Sequence, residues 1–94
     1  MTKEYYAILQ KQISSIEIMN IHRPPHLEYL RGIHANGELI IAGRYKNGSG
    51  GLIVVYTLNY DRALEIAKND PYIINNVREF DLLEYGVFDP QSIP

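Results

Sequence analysis

The 94-residue chain contains neither cysteine nor tryptophan. Without cysteine there is no disulfide framework, no thiol nucleophile and no thiolate-bound metal. A charge excess is missing as well. Nine Lys plus Arg stand against eleven Asp plus Glu, a net charge of −2, interspersed along the chain. This excludes the clustered basic stripe of a nucleic-acid binder. No apolar run approaches the roughly 20 residues of a membrane-spanning helix. Met1-Thr2-Lys3-Glu4-Tyr5-Tyr6 likewise lacks the apolar core of a signal peptide. These absences lead us to expect a single cytoplasmic domain over 1–94, with no membrane or nucleic-acid partner. A domain this small buries only about 60–65% of its unfolded surface, so its core is thin.

Eight tyrosines are the conspicuous surplus, fit for sheet margins, interfaces or a pocket wall because the ring packs while the hydroxyl stays hydrogen-bonded. Tyr5–Gln10 reads as a strand. Lys11–Ile21 has apolar residues without a clean period and reads as a connection that packs down. Pro24-Pro25 marks a helix start, continued by Leu27, Leu30 and His34 and stopped by Asn36-Gly37, giving a helix over Pro24–Ala35. Leu39–Tyr45 and Leu52–Leu58 are β-branched strands joined by the polar loop Lys46–Gly51, a hairpin. Asn59 caps a second helix running through Lys68. Asp70-Pro71 opens a short turn, Val77–Phe88 is the last strand, and Asp89–Pro94 is a tail.

The order β-α-β-β-α-β is that of a ferredoxin-like α+β subunit, an antiparallel four-stranded sheet with two helices on one face. Its free face should be polar, with strands that alternate. Leu39-Ile40-Ile41-Ala42 and Leu52-Ile53-Val54-Val55 do not alternate. The pattern therefore predicts a homodimer, sheet packed on sheet about a two-fold axis.

Two segments carry chemistry. In Arg23-Pro24-Pro25-His26-Leu27 a histidine opens a helix, and in Asp70-Pro71-Tyr72 an aspartate opens another. Brought together, His26 and Asp70 make an imidazole with a carboxylate partner, the raw material of a general base. Kept apart, both are helix punctuation, since Asp before Pro is an ordinary N-cap. Arg23 and Arg44 offer forked donors for a carboxylate or phenolate, or else surface ion pairs. His22 and His26 have helical metal-ligand spacing, but two prolines intervene and no H-E-x-x-H arrangement exists, so no metal is expected. Gly48-Ser49-Gly50-Gly51 lies between strands and is read as a hairpin connection, not a phosphate loop. Glu79, Asp81 and Glu84 read as a solvated strand face.

The ordered set of Tyr6–Leu9, Arg23-Pro24-Pro25-His26-Leu27, Asn36-Gly37-Glu38-Leu39, Ala42-Gly43, Gly50-Gly51 and Asn69-Asp70-Pro71-Tyr72 resembles the YCII-related (YciI-like) proteins of the dimeric α+β barrel group. The resemblance runs over about residues 5–88. It implies a homodimer of ferredoxin-like subunits and a His–Asp active site in a cleft beside the sheet. His26 and Asp70 then hold the catalytic positions, and Arg23, Gly43, Arg44 and Tyr72 the substrate-binding ones. A cofactor-independent lyase, isomerase or dehydrochlorinase acting on an aromatic or carboxylic acid is implied. The alternative is a non-catalytic dimeric ligand-binding or stress-related accessory domain. Two departures fall near the implied cleft: Arg44 replaces a proline common after Ala-Gly, and Ile74-Asn75-Asn76-Val77 replaces a stretch that commonly carries glycine.

Overall fold

Strand periodicity builds the centre of the molecule. In β1 (Glu4–Gln12), Tyr6, Ile8 and Gln10 share one face and Tyr5, Ala7 and Leu9 the other. A computed structural model describing residues 2–91 pairs β1 antiparallel with both β3 (Gly50–Thr57) and β4 (Arg78–Tyr85). β2 (Leu39–Arg44) pairs antiparallel with β3, giving the strand order β2-β3-β1-β4. Hence the sheet is antiparallel throughout, as expected for the ferredoxin-like class. Met1 and the last residues of the expected tail, 92–94, lie outside the described residues. β4 stops at Tyr85, three residues short of the expected strand end at Phe88.

The first helix differs most from expectation. α1 spans Ile16–Ala35, so Pro24 and Pro25 sit inside it and not at its start. Its N-cap is Ser15, whose Oγ accepts from the Ile18 N–H at 3.3 Å, with Glu17 in the favourable first turn. Two interior prolines deprive the carbonyls of Asn20 and Ile21 of their usual donors. Both residues are exposed, so water can serve those carbonyls and the helix survives. His22 is therefore helical, and His26 lies two to three turns inside the helix. The inner face runs through His26, Tyr29, Leu30 and Ile33, whereas His34, which continues the spacing of Leu27 and Leu30 in the sequence, is exposed. α1 ends in a Schellman arrangement: the Glu38 N–H reaches the Ile33 carbonyl and the Gly37 N–H the His34 carbonyl, with Gly37 at φ 77°.

α2 (Tyr60–Lys68) begins as expected at Asn59, whose side chain accepts from the Arg62 N–H at 2.9 Å. Ala63, Ile66 and Ala67 of α2 pack with Ile33 of α1 on Tyr6, Ile8, Ile53 and Val55 of the sheet. The two helices are tied by the Tyr29 hydroxyl, which donates to the Ile66 carbonyl at 2.8 Å. Burial pushes this phenol up to about 12. An unfolded tyrosine ionises near 10, so the stabilisation is whole below pH 10 and is lost as pH rises towards 12. Tyr29→Phe should lower stability by about 1 kcal/mol at neutral pH, and the gap to wild type should close across that alkaline window. Urea melts at pH 7 to 12 check this; a constant gap contradicts it.

On the sheet face away from the helices, register places Ile41, Val54, Ala7 and Leu83 in one row across β2, β3, β1 and β4. Tyr56, Tyr5 and Tyr85 form a parallel row beside it. Ile41 is 59% exposed and Leu83 52%. An irregularity between Leu39 and Ile41 leaves Ile40 exposed too.

Candidate active site

The site forms where α1, the short helix α3 (Pro71–Ile74) and the inner face of the sheet meet. Asp70 is the N-cap of α3 and Pro71 its first residue, so the local sequence fixes the carboxylate at a helix entrance. The Asp70 Oδ1 accepts from the Tyr72 N–H at 2.9 Å and meets His26 Nδ1 at 2.7 Å. Its Oδ2 accepts from Gln10 Nε2 at 2.8 Å. Asp70 thus satisfies the cap reading and the pairing reading together. Both members are buried, His26 to 6% exposure and Asp70 to 1%.

A carboxylate surrounded by donors can only accept, so the proton of the shared bond is assigned to His26 Nδ1. Nε2 then carries the lone pair. The Tyr72 ring lies flat on the imidazole, with centroids 3.8 Å apart and planes within 11°. The Arg78 guanidinium sits 4.7 Å from the centroid of the same tyrosine ring. α3 leaves through Asn76 at φ 56°. That is the left-handed conformation a glycine takes most freely and asparagine tolerates best among other residues. The departure expected from the missing glycine is therefore accommodated in the backbone.

His26 and Tyr72 open onto a cleft of about 180 Å³. Met19, Leu27, Leu30, Ala42 and Ile53 give it apolar walls, and Arg23, Gly43 and Arg44 line its rim. Of the residues singled out from sequence, His26, Arg23, Gly43, Arg44 and Tyr72 are gathered here, with Asp70 behind the histidine. Among the described residues, the cleft wall carries no serine, threonine, cysteine, lysine or carboxylate. No group of three or more metal-ligating His, Cys, Asp or Glu forms among the described residues.

Two polar residues at the site escaped the sequence reading. Gln10 and Arg78 are both buried, and the Arg78 Nη1 donates to Gln10 Oε1 at 3.0 Å. Gln10 continues the inward phase of Tyr6 and Ile8, and Arg78 that of Phe80 and Leu82. Strand phase was the available signal. Burial holds the Arg78 guanidinium below its usual range.

Fold and site together define a ferredoxin-like α+β domain with a buried histidine–carboxylate pair at the wall of a small cleft. The chain belongs to the YCII-related domain family, which it matches over residues 4–85. Among solved structures it is similar to a 5-chloro-2-hydroxyhydroquinone dehydrochlorinase from Burkholderia phenoliruptrix in complex with 2,5-dihydroxybenzoquinone. That likeness has a TM-score of 0.76 at 16% identity, covering 87% of this chain and 93% of the other. At this identity the likeness is one of fold. Comparison with curated protein sequences returns no significant match.

Proposed function

We propose that the chain is a cofactor-independent small-molecule enzyme of the lyase or isomerase type, with His26 as general base and Asp70 as its orienting partner. The observation that carries this reading is the 2.7 Å contact between His26 Nδ1 and Asp70 Oδ1, behind a cleft on which the imidazole opens. Nε2 would take a proton from carbon. The C–H pair would become a double bond, and a leaving group would depart with its own electrons or the double bond would shift. Hydrolysis by a protein nucleophile fits less well, because among the described residues the cleft wall has no hydroxyl but that of Tyr72 and no thiol. The dehydrochlorinase of similar fold acts on a chlorinated hydroxyquinol by its name, and small cyclic acids or phenols are the first substrates to try.

The functional unit is proposed to be a homodimer. Its support is the row Ile41, Val54, Ala7 and Leu83, an apolar band across all four strands on the face opposite the helices. A second copy of the sheet covers such a band with self-complementary contacts. A stably monomeric chain at micromolar concentration in sedimentation would remove this part of the proposal.

A non-catalytic ligand-binding role has one observation in its favour: the bond from the Tyr72 N–H explains Asp70 as a cap without any chemistry. Turnover separates the two readings. A thermal-shift screen of small aromatic and carboxylic acids identifies ligands, since whatever binds only the folded state raises its midpoint. Turnover of the best ligands is then followed. With an active substrate, His26→Ala should lower kcat by on the order of a hundredfold or more. Unchanged turnover in that variant would refute the base.

A further inference from the structure

The four ion pairs among the described residues engage His26, Arg31 and Arg62, and none includes Arg23, Arg44 or Arg78. Three guanidinium groups therefore line one cleft without a carboxylate of the described residues within ion-pair distance. Arg23 and Arg44 are exposed, where water screens them. Arg78 differs, being only 7% exposed. Its hydrogen-bond partners are neutral amides, Gln10 Oε1 at 3.0 Å from Nη1 and Gln12 Oε1 at 3.3 Å from Nε, and the Tyr72 ring lies 4.7 Å from it. Among the described residues, Nη2 has no protein acceptor. A buried cation is ordinarily paired, because removing it from water is costly. Here the fork is held in place by amides and lines the cleft, with Nη2 left without a protein acceptor among the described residues.

Gln10 ties this cation to the base. Its Nε2 donates to Asp70 and its Oε1 accepts from Arg78. Since a carboxylate only accepts and a guanidinium only donates, the amide has one workable orientation. The chain His26–Asp70–Gln10–Arg78 is thus a continuous hydrogen-bonded line from a proton acceptor to an unpaired cation.

We infer that Arg78 is the receptor for a small planar organic oxyanion, so that the ligand of this cleft is a carboxylate, phenolate or enolate held by the guanidinium edge. With an oxyanion at Arg78, negative charge developing as His26 removes a proton is received by a fixed, buried cation. The inference deepens the enzyme reading of the cleft. Its test uses binding alone, so a failed base and a failed anion receptor give different results.

Binding of benzoate, of neutral benzamide and of 2,5-dihydroxybenzoquinone, whose ring hydroxyls are vinylogous acids, is followed by NMR on the full chain. Benzoate or the dihydroxybenzoquinone should saturate and move the Arg78 Nε–H resonance along the same curve, while benzamide should not. Arg78→Met should weaken the anion at least about tenfold. Arg78→Lys, which keeps the charge and loses the fork, should fall between. The double variant Arg23→Gln, Arg44→Gln should lose only about two- to threefold and most of the salt dependence. The proposal is overturned if benzamide binds as well as benzoate. It is also overturned if neither anion saturates by about 10 mM, or if Arg78→Met binds within about twofold of wild type. Should both Arg78 variants fail to fold, the wild-type Nε–H resonance decides: an anion that saturates without moving it refutes the receptor.

Discussion

Asp70→Asn, nearly isosteric, should destabilise the fold by about 2–3 kcal/mol and disturb the tautomer of His26. The reason is that the carboxylate is surrounded only by donors: His26 Nδ1 and the Tyr72 N–H on Oδ1, Gln10 Nε2 on Oδ2. An asparagine must turn its NH₂ towards one of these sides. Facing Gln10, it meets another NH₂. Gln10 can relieve that clash only by flipping, which points its own NH₂ at Arg78, a donor that cannot reverse. Facing the other side, the NH₂ meets the Tyr72 N–H and forces His26 to present Nδ1 as an acceptor, moving the proton to Nε2. The base then has no lone pair towards the cleft. Either orientation leaves a buried donor without a partner, and such a group costs its full desolvation. Urea melts give the stability, and nitrogen chemical shifts of the imidazole give the tautomer. An unchanged midpoint with the proton still on Nδ1 would mean that the network is not what fixes the histidine. On an identified substrate the same variant should lose on the order of a hundredfold in kcat.

The residues alone left open whether His26 and Asp70 meet; the family resemblance supplied the pairing, and one of the two helix starts was misplaced. Helical phase, read along the whole of α1, is the local signal that turns His26 inward. His26, Tyr29, Leu30 and Ile33 stand at i, i+3, i+4 and i+7, the inner stripe of α1 whether the helix begins at Ser15 or at Pro24. The start itself was obscured because Pro24-Pro25 is a strong local signal for a first turn. That the freed carbonyls of Asn20 and Ile21 would face solvent is a property of tertiary position. The strands were read from their β-branched runs, and α2 from its Asn59 cap. Gln10 and Arg78 were missed for a different reason. A polar residue at the end of an inward strand phase looks like the end of the strand, and only the sheet pairing sets Gln10 beside both Asp70 and Arg78. The acidic residues Glu79, Asp81 and Glu84 are exposed on the edge strand β4, as their pattern indicated.

Gly50→Ala and Gly51→Ala should separate fold from site. A Cβ on Gly50, at φ 155°, would lie 1.8 Å from the Gln10 carbonyl oxygen and 2.8 Å from its carbon. Both are backbone atoms of the central strand, so nothing soft can yield. The expected loss is about 3 kcal/mol or more, beyond ordinary overpacking, a large fraction of the stability of a small domain. At Gly51 a Cβ would meet the Gly43 carbonyl oxygen at 2.6 Å and Arg78 Nη1 at 2.8 Å. The first contact pushes on the backbone of β2, an edge strand paired on one side only among the described residues. The second is the far end of a flexible side chain. The cost should therefore stay within about 1–3 kcal/mol, while the guanidinium is forced off Gln10 Oε1. Gly51→Ala is thus expected to remain folded and to bind benzoate at least about tenfold more weakly than wild type, while Arg44 meets the new Cβ only through its Cα, at 3.4 Å. Melting curves and the same NMR titration read the two effects separately. If the alanine at 51 left anion binding intact in a folded chain, the placement of Arg78 against β3 would not matter to the cleft. The anion would then belong to the exposed arginines at its rim.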